Sequence, residues 1–159
     1  MSIILNIDTS LETASVSISK EGIILSIQTN AIQRDHAAFV HIAINELLAN
    51  ENLNVSQLDA VGVTLGPGSY TGLRVGLSAA KGLCYALNKP LITVGTLQIM
   101  TKDMMLQMDK PTNYLFCPMI DARRMKFLLL CMMKILKKLC LRMRKCLLRN
   151  RLQKIMTKK

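Results

Sequence analysis

One short stretch rules out most architectures for this chain. Leu65-Gly66-Pro67-Gly68-Ser69-Tyr70-Thr71-Gly72 separates two runs of different period. Before it, Leu58 to Leu65 is a compact apolar run of strand length. After it, Leu73, Leu77, Ala80, Leu83 and Cys84 or Leu87 recur at helical spacing. Gly and Pro exclude regular structure between them. Thr71 is placed to cap a helix running to about Leu87. A strand feeding a helix through a tight loop belongs to α/β folds. The helix also carries Gly76, Ser78, Ala79, Ala80 and Gly82, whose size lets another element approach closely.

The flanking segments extend this reading. Ile3 to Ile7 is a short β-type run ending at Asp8-Thr9-Ser10, and Ala14 to Ser19 alternates apolar and small polar residues at period two. Glu21-Gly22 makes a tight turn into a third strand, Ile23 to Thr29, completing an antiparallel meander. Ala37 to Ala49 is helical, with Val40, Ile44, Leu47 and Leu48 as its apolar stripe and Asp35 as N-cap. Leu91 to Val94 is a parallel-type strand, Thr96 to Met105 a helix, and Tyr114 to Ile120 a further strand. The order βββ-α-β-α-β-α predicts a mixed sheet covered by helices, its parallel strands joined by right-handed crossovers.

The 159 residues allow one domain, or one domain and a fragment. The net charge of +11 would point to nucleic acid if it were spread over the molecule, but it is not. Residues 126–159 hold eight Lys and four Arg with no acid, while residues 1–125 hold nine basic and ten acidic side chains. The body is therefore near neutral. The five cysteines form no CxxC pair, which argues against a zinc site or a disulfide framework and fits a reducing, cytoplasmic setting. Asp8 interrupts the first apolar run before it reaches signal-peptide length, and no apolar run is long enough to cross a bilayer.

Three stretches carry a resemblance to a known family. They are Ile4-Leu5-Asn6-Ile7-Asp8-Thr9-Ser10, the loop Leu65 to Arg74, and Pro118-Met119-Ile120-Asp121-Ala122-Arg123-Arg124. In this order and spacing they resemble the TsaB (YeaZ) family. The resemblance implies a ribonuclease H-like fold of the actin, sugar-kinase and Hsp70 class, built of two related lobes. It divides the chain into a first lobe over 1–110, the first strand of a truncated second lobe over 111–125, and a tail over 126–159. It implies a non-catalytic subunit that binds TsaD, with TsaE as a further member of the complex and homodimers as an option. TsaD threonylcarbamoylates adenosine 37 of tRNAs reading codons that start with A. On this reading tRNA is met only through the complex, and no membrane and no cofactor are involved.

The same resemblance assigns site residues. TsaD carries a His-x-x-x-His metal pair after the strand that matches Leu91 to Val94; here those positions are Thr96 and Met100. Neither replaces an imidazole, so no metal and no catalytic residue is expected. Asp8, Thr9 and Ser10 stand where nucleotide-binding members of the fold place a phosphate loop. Small hydroxyl residues can offer backbone N–H groups to phosphate, and they can equally join two strands. The partner interface is expected on the helices Ala37 to Ala49 and Thr71 to Leu87, at Val40, Ile44, Leu73, Gly76, Leu77, Ala80 and Leu83. The same residues can also pack on the chain's own sheet. His36 and His41 are five apart, which turns them about 140° from each other on a helix.

After Met125 the acids vanish and the chain becomes Leu, Met, Cys, Lys and Arg. The family continues here with an alternating strand. One back-translation of Met125 to Cys140, with a single G inserted after the first codon, reads Met-Glu-Val-Phe-Thr-Ala-Val-Tyr-Asp-Glu-Asn-Leu-Glu-Glu-Ile-Val. The tail is accordingly read as out of frame. A native basic helix gripping tRNA is the competing reading, and it lacks a clean 3.6-residue face. A kinase-like nucleotide-binding enzyme of the same fold is the other functional alternative, and it would need acidic magnesium ligands from both lobes.

Overall fold

The computed structural model describes residues 2–32, 35–109, 116–121 and the backbone of 127–129. Two compact units are present, Met1–Thr96 and Leu97–Lys159.

The first unit is built on a five-stranded mixed sheet. Its strands are β1 (Ile3–Asp8), β2 (Ala14–Lys20), β3 (Ile23–Asn30), β4 (Ala60–Gly66) and β5 (Leu91–Gly95), in the spatial order β3-β2-β1-β4-β5. β1, β2 and β3 are antiparallel neighbours, and β1, β4 and β5 run parallel. The β2–β3 turn is two residues long, with Glu21 at φ 52° and Gly22 at φ 81°. Left-handed φ at both positions matches the twist of the flanking strands, and glycine adopts it without strain. The strand and helix order expected from the pattern is the one observed.

Period two decides which face is buried. Leu5 and Ile7 on β1, Val16 and Ile18 on β2, and Val61 and Val63 on β4 are all almost fully buried on one face. Two helices cover it. α1 (His36–Asn50) lies against β2 and β3, and α2 (Tyr70–Leu87) against β1, β4 and β5. α1 contributes Val40, Ala43, Ile44, Leu47 and Leu48 to the core. Burying each such side chain is worth about 1.5–3 kcal/mol, so this one face holds most of the unit's apolar stabilisation. A 3-10 turn, Val55–Gln57, leads into β4 and is closed by an Asn54–Gln57 capping box.

Both helix starts differ from the sequence reading. Asp35 precedes α1, but at φ −108°, ψ 6° it lacks the extended geometry that aims a capping side chain, and it makes no cap bond. α2 is capped by Ser69 and not by Thr71, because Ser69 Oγ accepts from Gly72 N at 3.3 Å. A tertiary bond sets that register: Ser69 N donates to Ser10 O at 2.7 Å. α2 ends at Asn88 in the left-handed conformation.

In the second unit, α3 (Thr96–Leu106) follows β5 directly. β6 (Met119–Asp121) and β7 (Phe127–Leu129) form an antiparallel pair. Of the strand expected over Tyr114 to Ile120, residues 114 and 115 lie outside the described residues and only Met119 and Ile120 fall in β6; the basic tail beyond β7 also lies outside the described residues. Where the tail is described, at 127–129, it is strand and not helix.

Candidate functional site

The Asp8-Thr9-Ser10 turn is folded inward. Asp8 Oδ1 accepts from Ser10 N at 2.9 Å, turning the carboxylate back onto its own backbone. Thr9 is 2 % exposed and its Oγ1 donates to Gly72 O at 2.7 Å. Ser10 is fully buried, and its Oγ has no partner among the described residues. The start of α2 closes over this turn. A Cβ at Gly68 would strike Ser10 O, one at Gly72 would strike Thr9 O, and one at Gly76 would strike Thr9 Oγ1. Thr9 and Ser10 thus face the α2 start and not solvent. They clasp β1 to α2.

Thr96 opens α3, is 2 % exposed, and has a buried Oγ1 without a partner among the described residues. Met100, one turn later, is half-buried. Among the described residues no group of three or more His, Cys, Asp or Glu side chains could hold a metal ion. His36 is buried. Its Nε2 lies 3.1 Å from the Glu12 carbonyl oxygen, which can only accept, so that nitrogen carries the proton and donates. His41 is exposed.

The seven residues expected at a partner interface divide sharply. Val40, Ile44 and Ala80 lie in the chain's own core, and Gly76 is buried against Thr9. These four present nothing to a partner. Leu73 and Leu77 are half-buried, and Leu73 Cδ1 packs at the Gly66 turn. Leu83 alone opens onto the groove between α1 and α2. That groove has a volume of about 560 Å³. Its α1 side is Ala37 and His41. Its α2 side is two ridges at four-residue spacing, exposed Arg74, Ser78 and Gly82 and half-buried Val75, Ala79 and Leu83. A Cβ at Gly82 would meet nothing within 4 Å. Of the eight lining residues only Leu83 is expected at the interface, although Ser78, Ala79 and Gly82 stand out in the sequence as small residues that admit close approach. Their signal was present in the run of small side chains, but that run wraps the helix and does not say which side faces out.

Two features near the groove carry polarity. Arg74 Cζ sits 4.6 Å from the centroid of the Tyr70 ring, and that tyrosine is 71 % exposed. Cys84, half-buried on α2, has its thiol pushed up from the ordinary value by burial, an effect partly offset by a backbone hydrogen bond with Val61.

With this geometry in hand, three comparisons are informative. Residues 23–144 match the family model described as TsaD: tRNA N6-adenosine threonylcarbamoyltransferase. The chain is 38% identical to the tRNA threonylcarbamoyladenosine biosynthesis protein TsaB of Haemophilus influenzae, over 62% of this chain and 42% of that protein. It is 30% identical to TsaB of Bacillus subtilis, over 76% of this chain and 51% of that protein. Among solved structures, YeaZ from Pseudomonas aeruginosa superposes with a TM-score of 0.73 at 30% identity, covering 82% of this chain and 60% of that one. The chain spans about half the length of the curated relatives it matches. Among the described residues no helix is long and apolar enough to cross a membrane.

Proposed function

From a chain that belongs to the TsaD threonylcarbamoyltransferase family and resembles its TsaB (YeaZ) members, we propose a non-catalytic docking subunit. It binds TsaD and supports threonylcarbamoylation of adenosine 37 in tRNAs that read codons starting with A. The work is done in the cytoplasm, with TsaE as a further member of the complex, and tRNA is engaged through TsaD.

The observation that carries the reading is the groove between α1 and α2. Packed helix axes lie about 8–10 Å apart, and small side chains at the contact allow the near end of that range. Ala37, Ser78, Ala79 and Gly82 supply that condition on the outer side of this helix pair, and half-buried Val75 and Leu83 supply apolar area. The interface therefore lies one position around α2 from the residues that periodicity selects. Thr96 and Met100 support the non-catalytic half of the reading, because a hydroxyl and a thioether stand where TsaD carries its two metal-binding imidazoles. The kinase-like alternative gains nothing from the buried Thr9 and Ser10.

Reconstitution tests the proposal. The chain, given tRNA and a threonylcarbamoyl donor, should produce no modified adenosine without TsaD. Adding the chain to TsaD and TsaE should raise product formation. Transfer by the chain in the absence of TsaD contradicts the proposal.

A further inference from the structure

The groove is lined by small and apolar side chains together with His41, Ser78 and, nearest the start of α2, Arg74. Its guanidinium lies over the Tyr70 ring at 4.6 Å, a cation–π contact between two exposed side chains. All ten acidic residues of the chain fall among the described residues, and none makes an ion pair with Arg74. No acid lines the groove either; the three on or beside α1 are Asp35, Glu46 and Glu51, and Glu46 accepts from Gln28 Nε2 at 2.8 Å. Arg74 is therefore a pre-oriented cation with no carboxylate of its own.

Docking changes what that costs. A helix seated along Ser78 and Gly82 covers the end of the groove and strips water from the guanidinium. A desolvated, unpaired guanidinium is strongly unfavourable, whereas one facing a carboxylate makes two parallel charge-assisted hydrogen bonds. The Tyr70 face already restricts the arginine, so less rotamer freedom is lost on pairing. We propose that the partner helix filling the α1–α2 groove carries an Asp or Glu opposite Arg74, and that this pair selects the partner. The inference rests on the docking reading above and deepens it. A second copy of this chain is the weaker occupant, since its own groove brings another Arg74 and no acid.

Affinity measurements on the full chain and its cognate TsaD separate the two levels. Arg74→Gln keeps most of the stem and removes the charge; Arg74→Glu reverses it. Arg74 is exposed, so melting curves of both should match the wild type. Arg74→Gln should weaken TsaD binding about 30-fold or more and flatten its salt dependence. Arg74→Glu should weaken it further, and an Asp/Glu→Arg change on the contacting TsaD helix should restore it. If Arg74→Glu binds within twofold of wild type while Gly82→Arg does not bind, the carboxylate is wrong and the groove stands. If Gly82→Arg binds normally, the groove fails and takes this inference with it. If sedimentation shows a wild-type homodimer that Gly82→Arg dissolves and TsaD does not displace, the occupant is a second copy and the inference is overturned.

Discussion

Helix α2 has two strips of small residues, and they do opposite things. The inner strip is Gly72, Gly76 and Ala80, one residue per turn, all buried. Here smallness is compulsory, because the Thr9–Ser10 turn presses against the helix backbone. The outer strip is Ser78 and Gly82 with Ala79 beside them, and at Gly82 there is open space. At Gly82 smallness serves no contact among the described residues. Glycine in a helix interior costs about 0.5–1 kcal/mol relative to alanine. Inside, the clasp on Thr9 explains that cost. Outside, the explanation must lie in whatever approaches the surface.

Substitutions can break this contrast. The largest effect is expected at Gly72, where a Cβ meets the Thr9 carbonyl, a backbone atom that cannot swing aside. Gly72→Ala should destabilise by about 3 kcal/mol, measured by urea unfolding. Gly76→Ala meets a side-chain hydroxyl and should cost about 2 kcal/mol, because rotating Thr9 breaks its bond to Gly72 O. Removing that bond directly, with Thr9→Val, should cost about 1 kcal/mol. Gly82→Ala should reverse the sign and stabilise by about 0.5–1 kcal/mol, raising the melting temperature by a few degrees. A stabilised Gly76→Ala or a destabilised Gly82→Ala would erase the distinction between the strips.

The contrast also explains what the sequence reveals and what it hides. β1, β2 and α1 are legible because their apolar residues follow clean periods: Leu5 and Ile7, Val16 and Ile18, Val40 with Ile44 and Leu47. The cap of α2 is not, because Ser69 and Thr71 are both good capping residues. The choice depends on Ser69 N meeting Ser10 O, nearly sixty residues away. The facing of α2 is hidden for a related reason. Leucines at 73, 77 and 83 mark an apolar side, but the deepest positions are glycines and an alanine, which carry almost no hydrophobic signal. Close backbone approach is a long-range fact that local pattern does not record. That is why Gly76 and Ala80 read as partner-facing and sit in the core.

A smaller effect sharpens the same boundary. Burial raises the Cys84 thiol, so its thiolate appears at higher pH than that of an ordinary exposed thiol. Alkylation followed by mass spectrometry should show Cys84 of the folded chain reacting more slowly at neutral pH than the same cysteine in the urea-unfolded chain. Equal rates in the two states would mean that this side of α2 is open to solvent.

The central claim is that the outer side of the α1–α2 pair is a docking surface for TsaD. It is tested most directly by titrating TsaD with the wild-type chain and with Gly82→Arg under identical conditions. A Cβ there meets no described atom within 4 Å and the position is exposed, so the variant should melt as the wild type does and lose detectable binding. Undiminished binding by a folded Gly82→Arg chain would contradict the account.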